Sequence, residues 1–598
     1  MISRLMIIMF CWLLSTGIVT AQPPLPAHKP NILETATHSD ILKSTTIPKT
    51  KKKPIGTGLY LSKTDSALYK DIFKAQDRAD WKTADAKTEK LEDLRLRGYI
   101  LYQRLMHPSD YVSSYEELSG WLNQYPDLAG AHDIYKLALK RKPSGTESPR
   151  KPIKNRIIYG SLRALNPEAP TYKSTKKRSS SQSALIQKLE KQIKNNLRRD
   201  RITISNDQLK QSEAKLYMDN VEYDRLRAQI AAGYLYIDMP EKALELSLAS
   251  LNRSGEKAPL SGWVAGLTSW KEKDYANAYK YFQTVALSNY TSTWTKAAGA
   301  YWASRAALKL GEFDKVSQWL NIAADYNRTF YGVMAIRALG RDVTFNWSLP
   351  AFKQEHEDQI LSYAAGRRAY LLIQAGQKSL ASRELLKLHP NGDDELEEAL
   401  ITFSAKYELP SFQIQFAHLF KQQDDSFYDS ALYPLASWKP KNDWEIERAF
   451  IHALVRQESR FDPRAENSYS SAMGLMQILP STANGVVGSK QFSGAGKYSL
   501  KDPITNITVG QRYLLRLQNQ LDNKDDLMRL AIAYNAGPGN LRKWQKELSD
   551  IEDPLLFIEM LPYAETRDYV ERVMSYYWIY KMRLGEESTT LNQLASGR

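Results

Sequence analysis

The chain has a single cysteine, Cys11, among 598 residues, which excludes an intramolecular disulfide framework. Histidine is scarce too. The eight residues of this type show no metal-ligand spacing and have no cysteine partners, so no metal site is expected. His452 reads as a residue on a helix flank. No glycine-rich phosphate loop is present either: GAGK, at Gly494 to Lys497, lacks the P-loop frame. No cofactor is expected. Long apolar runs are missing, and a mean hydropathy of -0.49 excludes a multi-pass membrane protein. At 43% hydrophobic residues the chain is not wholly disordered. Its length is too great for one core, so two to four domains are expected.

Acidic residues are also outnumbered, 67 against 82 basic, for a net charge of +15. Such a balance suggests a polyanionic partner, and nucleic acid is the first candidate. The location of the charge decides its meaning. Residues 140–201 hold 18 Lys and Arg against 4 Asp and Glu, a local net of +14. Arg4 supplies the remaining +1, and everything else is neutral as a whole.

Arg4 precedes an apolar run from Leu5 to Ile18, followed by Val19-Thr20-Ala21 and Gln22. This is the layout of a secretory signal peptide over 1–21, too short to span a bilayer comfortably. An uncleaved anchor is the alternative. Cys11 lies inside the run with no small residue before it, so it is not read as a lipid-attachment site. Without residues 1–21 the chain has no cysteine, no integral membrane segment is expected, and an oxidising exported compartment suits it.

Residues 22–60, rich in Pro, Thr and Lys, read as a flexible lead-in. Beyond them the pattern is helical. Tyr115, Leu118 and Leu122 fall at helical spacing, and a break near Pro126 predicts two helices. Within 140–201, Pro, Ser and Lys dominate the first part, while ALIQKLEKQIKNNLRRD could form a basic helix. Three phrases then align: YIDMPEKALELS, WKEKDYANAYKYF and LKLGEFDKVSQWL. Their matched positions Ala243, Ala278 and Val316 lie 35 and 38 residues apart. That is close to the roughly 34-residue tetratricopeptide period, so a helical solenoid is expected. Trp263, Trp270, Trp294, Trp302 and Trp319 read mostly as interhelical core. The division predicted is an α-superhelical domain over 61–345 with the basic insertion at 140–201, a helical linker domain over 346–432, and a last domain over 433–598 that begins at YPLASWKPKNDW.

The chemistry concentrates in that last domain. Phe450, Leu454 and Glu458 stand at i, i+4 and i+8, so Glu458 continues an apolar stripe until Pro463 stops the helix. A carboxylate there is partly desolvated and near the negative end of the helix dipole, and both effects raise its pKa. A general acid near neutral pH needs that property. The alternative is a surface Glu paired with Arg456 or Arg460. In AMGLMQILPSTA, Gly474 permits close backbone approach, Gln477 offers an amide, and Pro480-Ser481-Thr482 resembles a helix start. In LMRLAIAYNAGPGN, Leu527, Leu530, Ala531 and Tyr534 share one face, so Tyr534 should be largely buried with its hydroxyl partnered. Gly537-Pro538-Gly539 breaks that helix and leaves Asn535 at an open edge. In MLPYAETRDYVERVMSYYW, Pro562 precedes a helix whose first turn holds Glu565, which otherwise reads as a dipole-compensating carboxylate.

Together these phrases resemble the soluble lytic murein transglycosylases. The family's glutamate-serine pair is matched by Glu458-Ser459, its GLMQ phrase by Gly474 to Gln477, and its P-x-x-NI-x-x-G-x-x-YL phrase by Pro503 to Leu514. AYNAG matches Ala533 to Gly537, and PY-x-ETR-x-YV matches Pro562 to Val570. The resemblance is strong over about 440–585, diffuse over 60–430, and does not cover 140–201. It implies a mainly α protein: a tetratricopeptide-like α-helical solenoid followed by a lysozyme-like, mostly α-helical catalytic domain. It implies that Glu458 is the catalytic acid and base, that Tyr534 bonds the reacting sugar, and that Ser468, Gln477, Asn535, Tyr563 and Glu565 line the groove. The family serine falls at Ser468 only after a one-residue insertion. Ser471 stands where the family has a glycine, and Leu479 where it has a methionine.

The implied reaction splits the β-1,4 bond between N-acetylmuramic acid and N-acetylglucosamine in peptidoglycan glycan strands and forms 1,6-anhydromuramoyl ends. Two alternatives stay open: a hydrolytic muramidase on the same fold, and a non-catalytic wall-binding scaffold. The expected place is the periplasm, as a monomer. Nucleic acid is not expected for an exported chain. Residues 140–201 are then either a solvated, partly disordered insertion or a tether to anionic envelope polymers.

Overall fold

A computed structural model of the chain describes residues 58–107, 110–154, 172–420, 426–467 and 469–597. The expected signal peptide, the lead-in up to residue 57, and Ser468 lie outside the described residues. Among these residues helices supply the regular structure, and β pairing is confined to isolated bridges such as Glu466–Met473 and Met473–Ile478. The mainly α fold expected from the sequence is the fold observed.

Local chemistry sets the helix starts. Ser62 caps helix Lys63–Asp77 by accepting from Asp65 N. Ser114 and Glu117 form a reciprocal capping box at Tyr115–Gln124. The break near Pro126 separates that helix from Ala131–Arg141. In the basic segment, Ile153 N donates to Pro126 O at 2.9 Å. The predicted basic helix runs over Ser180–Leu197, burying Ile186, Leu189 and Ile193. Lys188, Lys191, Lys194 and Arg198 face outward. The described second half of the segment is therefore anchored by an apolar stripe, not loosely solvated.

The aligned phrases correspond to the second helices of three consecutive pairs. These pairs are Asn220–Tyr236 with Pro240–Ser254, Pro259–Lys271 with Tyr275–Leu287, and Thr293–Lys309 with Phe313–Ala324. A left-handed residue stands five positions before each matched residue: Asp238 (φ 57°), Lys273 (φ 61°) and Gly311 (φ 74°). Each turn closes with the same bond, from Met239 N to Tyr234 O, Asp274 N to Ser269 O, and Glu312 N to Ala307 O. Ala243 and Ala278 are fully buried, as close helix packing requires. Trp270, Trp302 and Trp319 are core residues, and Trp263 packs edge-on to Trp302.

Helices Gln354–Ser362, Ala364–Gln374, Lys378–Leu385, Asp394–Lys406 and Pro410–Ala417 follow. They pack on the N-terminal helices: Leu61 N donates to Gln374 Oε1 at 2.9 Å, and the buried Glu384 takes Ala129 N, Arg368 and Lys387. A buried carboxylate is tolerated only with such a full set of donors. Both parts of the helical array reach the last 160 residues. On one side Asp77 pairs with Arg464, and His107 meets the Tyr498 ring edge-on at 5.1 Å. On the other, Arg305 pairs with Asp553 at 2.7 Å and Phe330 stacks on Trp578 at 5.0 Å. No helix among the described residues is long and apolar enough to cross a membrane.

Candidate active site

Glu458 sits in the last turn of helix Arg448–Ser459, whose Ala449, Phe450, Ala453 and Leu454 are buried. The helix ends before Pro463 is reached, because Arg460 (φ 52°) and Phe461 (φ 60°) both turn left-handed. Ser459 Oγ donates to Leu475 O at 2.7 Å and so ties the helix end to the GLMQ turn.

That turn is built to close tolerance. Gly474 has φ 78°, and a Cβ there would lie 2.2 Å from Leu500 O and from Asn506 Nδ2. Asn506, wholly buried, donates to Met473 O (2.9 Å) and Leu500 O (2.8 Å) and accepts from Met476 N (2.8 Å). One turn on, a Cβ at Gly510 would meet Met476 Sδ at 2.2 Å. The four-residue spacing of Asn506 and Gly510 in the phrase at 503–514 thus has a packing reason in this chain. Ser471, in place of a glycine, adopts φ 62°, the region that favours glycine.

Helix Leu527–Ala536 places Tyr534 half-buried beneath the site. Its hydroxyl donates to Met476 O at 2.6 Å, and its ring lies 5.6 Å from that of Tyr513. Burial and the nearby Glu458 charge hold the phenol well above its ordinary pKa. Gly537 (φ 85°) ends the helix and Pro538 starts the next, so Asn535 stands at the edge, where its Oδ1 accepts from Thr566 Oγ1 at 2.8 Å.

A cavity of about 430 Å³ is lined by Gln457, Glu458, Asn535, Glu565, Asp568, Tyr569 and Arg572. The last four share one face of helix Ala564–Leu584 through 3- and 4-residue spacing. Of the expected residues, Glu458, Asn535 and Glu565 line the cavity together. Gln477 and Tyr534 do not line it. The Gln477 amide is turned onto Ala465 O (3.2 Å) and Gly474 O (3.0 Å), holding the turn itself. Tyr563 is exposed, with its ring edge-on to Trp544 at 5.1 Å.

Burial pushes the Glu458 carboxyl up to about 7, and the charge of Glu565 adds to the rise. The Tyr569 hydroxyl, donating to Glu458 Oε1 at 2.6 Å, opposes it. Pairing with Arg456, one of the two partners in the surface alternative, fails because Arg456 is fully buried elsewhere. Its Nε donates to Leu432 O at 3.0 Å and its guanidinium lies on Tyr433 and Tyr576. Asp462 accepts from Ser379, and Glu466 pairs with Lys501. His452 is not on a flank: it is buried against Trp444, Phe461 and Tyr580. Burial and Arg448 press its pKa down to about 4. The Phe450–Glu458 stripe marks one buried side of the helix, and protein covers the His452 side as well. No group of three or more His, Cys, Asp or Glu among the described residues could hold a metal.

Sequence reasoning missed Tyr569, Asp568, Arg572 and Gln457. A signal for Tyr569 was present, since it belongs to the PY-x-ETR-x-YV phrase and stands four residues after Glu565, on the same helical face.

Residues 436–555 match the family described as Transglycosylase SLT domain. The soluble lytic murein transglycosylase of Escherichia coli K12 is 38% identical over 157 residues, 26% of this chain and 24% of that protein. Its counterpart in Salmonella typhimurium is 35% identical over 151 residues, 25% of this chain and 23% of that protein. The aligned segment thus spans about a quarter of these relatives' own length. The fold extends further. The 70-kDa soluble lytic transglycosylase of Escherichia coli superposes over 88% of this chain and 98% of its own, at 17% identity and a TM-score of 0.53. Over residues 436–555 the chain thus carries a segment similar to the Transglycosylase SLT domain of soluble lytic murein transglycosylases.

Proposed function

We propose that this chain is a peptidoglycan lytic transglycosylase that cleaves the β-1,4 bond between N-acetylmuramic acid and N-acetylglucosamine. The observation that supports it best is Glu458: a cavity carboxyl that titrates at about 7, with a phenol bonded to it. Glu458 gives its proton to the glycosidic oxygen as the C1–O bond breaks. The substrate's own N-acetyl group steadies the oxocarbenium-like C1. The Glu458 carboxylate, held by Tyr569, then removes the proton from the muramoyl C6 hydroxyl as that oxygen bonds C1. Glu458 ends protonated, as it began, and no water is consumed. Tyr534, through its oxygen, and Gln477 support the floor of the groove. Asn535 and Glu565 line it, and Tyr563 offers an exposed ring at its margin. Ser468 is proposed to line it on the family pattern alone.

A hydrolytic muramidase is the second reading. It is favoured by the two further carboxylates, Glu565 and Asp568, in the same cavity, since two-carboxylate mechanisms are the common glycosidase pattern.

The proposed organisation is a superhelical part over 61–345, a linker over 346–432 and a catalytic part over 433–598, working as a monomer in the periplasm after export. The outward Lys188, Lys191, Lys194 and Arg198 of the basic segment are proposed to hold anionic envelope polymers. Purified protein should release soluble muropeptides from sacculi, and Glu458→Gln should release none at a measurable rate. Charge reversal at the four basic positions should lower sacculus binding at low salt but not at high salt.

A further inference from the structure

Arg572 lines the same cavity as Glu458 and stands four residues after Asp568 on one helix face. An acid and a base at that spacing ordinarily pair. Here no ion pair to Asp568 forms within 4 Å. The guanidinium instead lies over the indole of Trp294, with Cζ 4.8 Å from the ring centroid. Trp294 comes from the first turn of helix Thr293–Lys309, in the repeat region. Trp270, Trp302 and Trp319 of that region are buried in its core, whereas Trp294 is half-buried and meets the last domain.

A guanidinium held over an indole is restrained in position, and its planar fork of N–H donors matches a carboxylate bidentately. The other charged groups of the cavity wall, Glu458, Glu565 and Asp568, are acidic. Glu458 meets the substrate protonated, so an anionic group finds no attraction from these carboxyls and is attracted at Arg572.

Resting on the transglycosylase reading, we propose that Arg572 is a specificity residue that binds a substrate carboxylate, and that Trp294 is its positioning residue. The N-acetylated sugar rings are neutral. A strand's carboxylates belong either to the lactyl group of a peptide-stripped muramoyl unit or to the stem peptide of a peptide-bearing one. Both present the same chemistry to a guanidinium.

The test uses the full chain on glycan strands from sacculi in two forms, peptide-bearing and peptide-stripped, each also with its carboxylates converted to methylamides. The readout is the ratio of kcat/KM on the native form to that on the methylamidated form. The wild type should prefer a carboxylate form about tenfold, chiefly through KM. Arg572→Gln should bring the ratio close to one. Arg572→Lys, which keeps the charge but loses the planar fork, should fall between. Trp294→Ala should lower the ratio and Trp294→Phe should restore most of it. A preference confined to peptide-bearing strands assigns the carboxylate to the stem peptide, and one on stripped strands assigns it to the lactyl group. The same ratio in wild type and Arg572→Gln, or a wild-type ratio of one on both forms, overturns the proposal. Should Arg572→Gln not fold, the wild-type ratio and the Trp294 pair carry the test. A wild type that cleaves neither form contradicts the transglycosylase reading itself.

Discussion

The Tyr569 hydroxyl donates to Glu458 Oε1 at 2.6 Å. The two residues are 111 positions apart, on helices Arg448–Ser459 and Ala564–Leu584. The phenol stabilises the ionised carboxylate, while burial and Glu565 favour the neutral acid. The balance leaves Glu458 titrating at about 7, so both protonation states are accessible, as the proposed acid-then-base role requires.

The pH profile follows from that balance. The proposed first step needs Glu458 protonated, so kcat/KM should fall as pH rises through about 7. Glu565→Gln removes a negative charge that raises the pKa, and should move the falling limb to lower pH. Rates on labelled sacculi between pH 5 and 9 check both. A limb that does not shift in Glu565→Gln contradicts the charge coupling.

Tyr569→Phe removes the donor. With the ionised form less stabilised, the Glu458 pKa should rise and the falling limb should move to higher pH. The maximal rate should drop by about tenfold or more, because a hydrogen bond to a charged group is worth about 1.5–3 kcal/mol. Measuring the limb and the maximum separately distinguishes this from a folding defect, which lowers the maximum without moving the limb.

The helical periods, the turn-marked pairs at 220–324 and the raised pKa of Glu458 were legible because each depends on local spacing. The GLMQ and YNAG phrases could be placed on turns for the same reason. What escaped was long-range. The Gln477 amide turns inward because Ala465 O and Gly474 O lie there, and no local rule foretells that. His452 is buried by Trp444 and Tyr580, which come from before and far after its own helix. The contact of Trp294 with Arg572 joins residues 278 positions apart in the sequence.

The Gly474 turn should not tolerate a side chain. A Cβ at 2.2 Å from backbone Leu500 O, added to a φ of 78°, has no soft neighbour to displace. Gly474→Ala should cost about 2–4 kcal/mol by overpacking and left-handed strain, read as a lower midpoint in urea. An unchanged midpoint contradicts the close approach.

Glu571, on helix Ala564–Leu584, lies against Glu559, the last residue of helix Pro554–Glu559, and Tyr331 donates to Glu559. Burial raises both pKa values, that of Glu559 to about 7. The folded state therefore binds more protons than the unfolded state above the ordinary value of 4.5. Stability from this pair is present below that value and is lost as pH rises toward and past 7. Glu571→Gln should raise Tm at pH 8 and change it little at pH 5. Equal shifts at both pH values contradict the pairing.

The most direct test of the central claim is the mass of the products released from purified sacculi by the wild type. Intramolecular attack by the C6 hydroxyl predicts muropeptides with 1,6-anhydro ends, each lighter by one water than its reducing counterpart. Products with ordinary reducing ends, or full release by Glu458→Gln, would contradict the account.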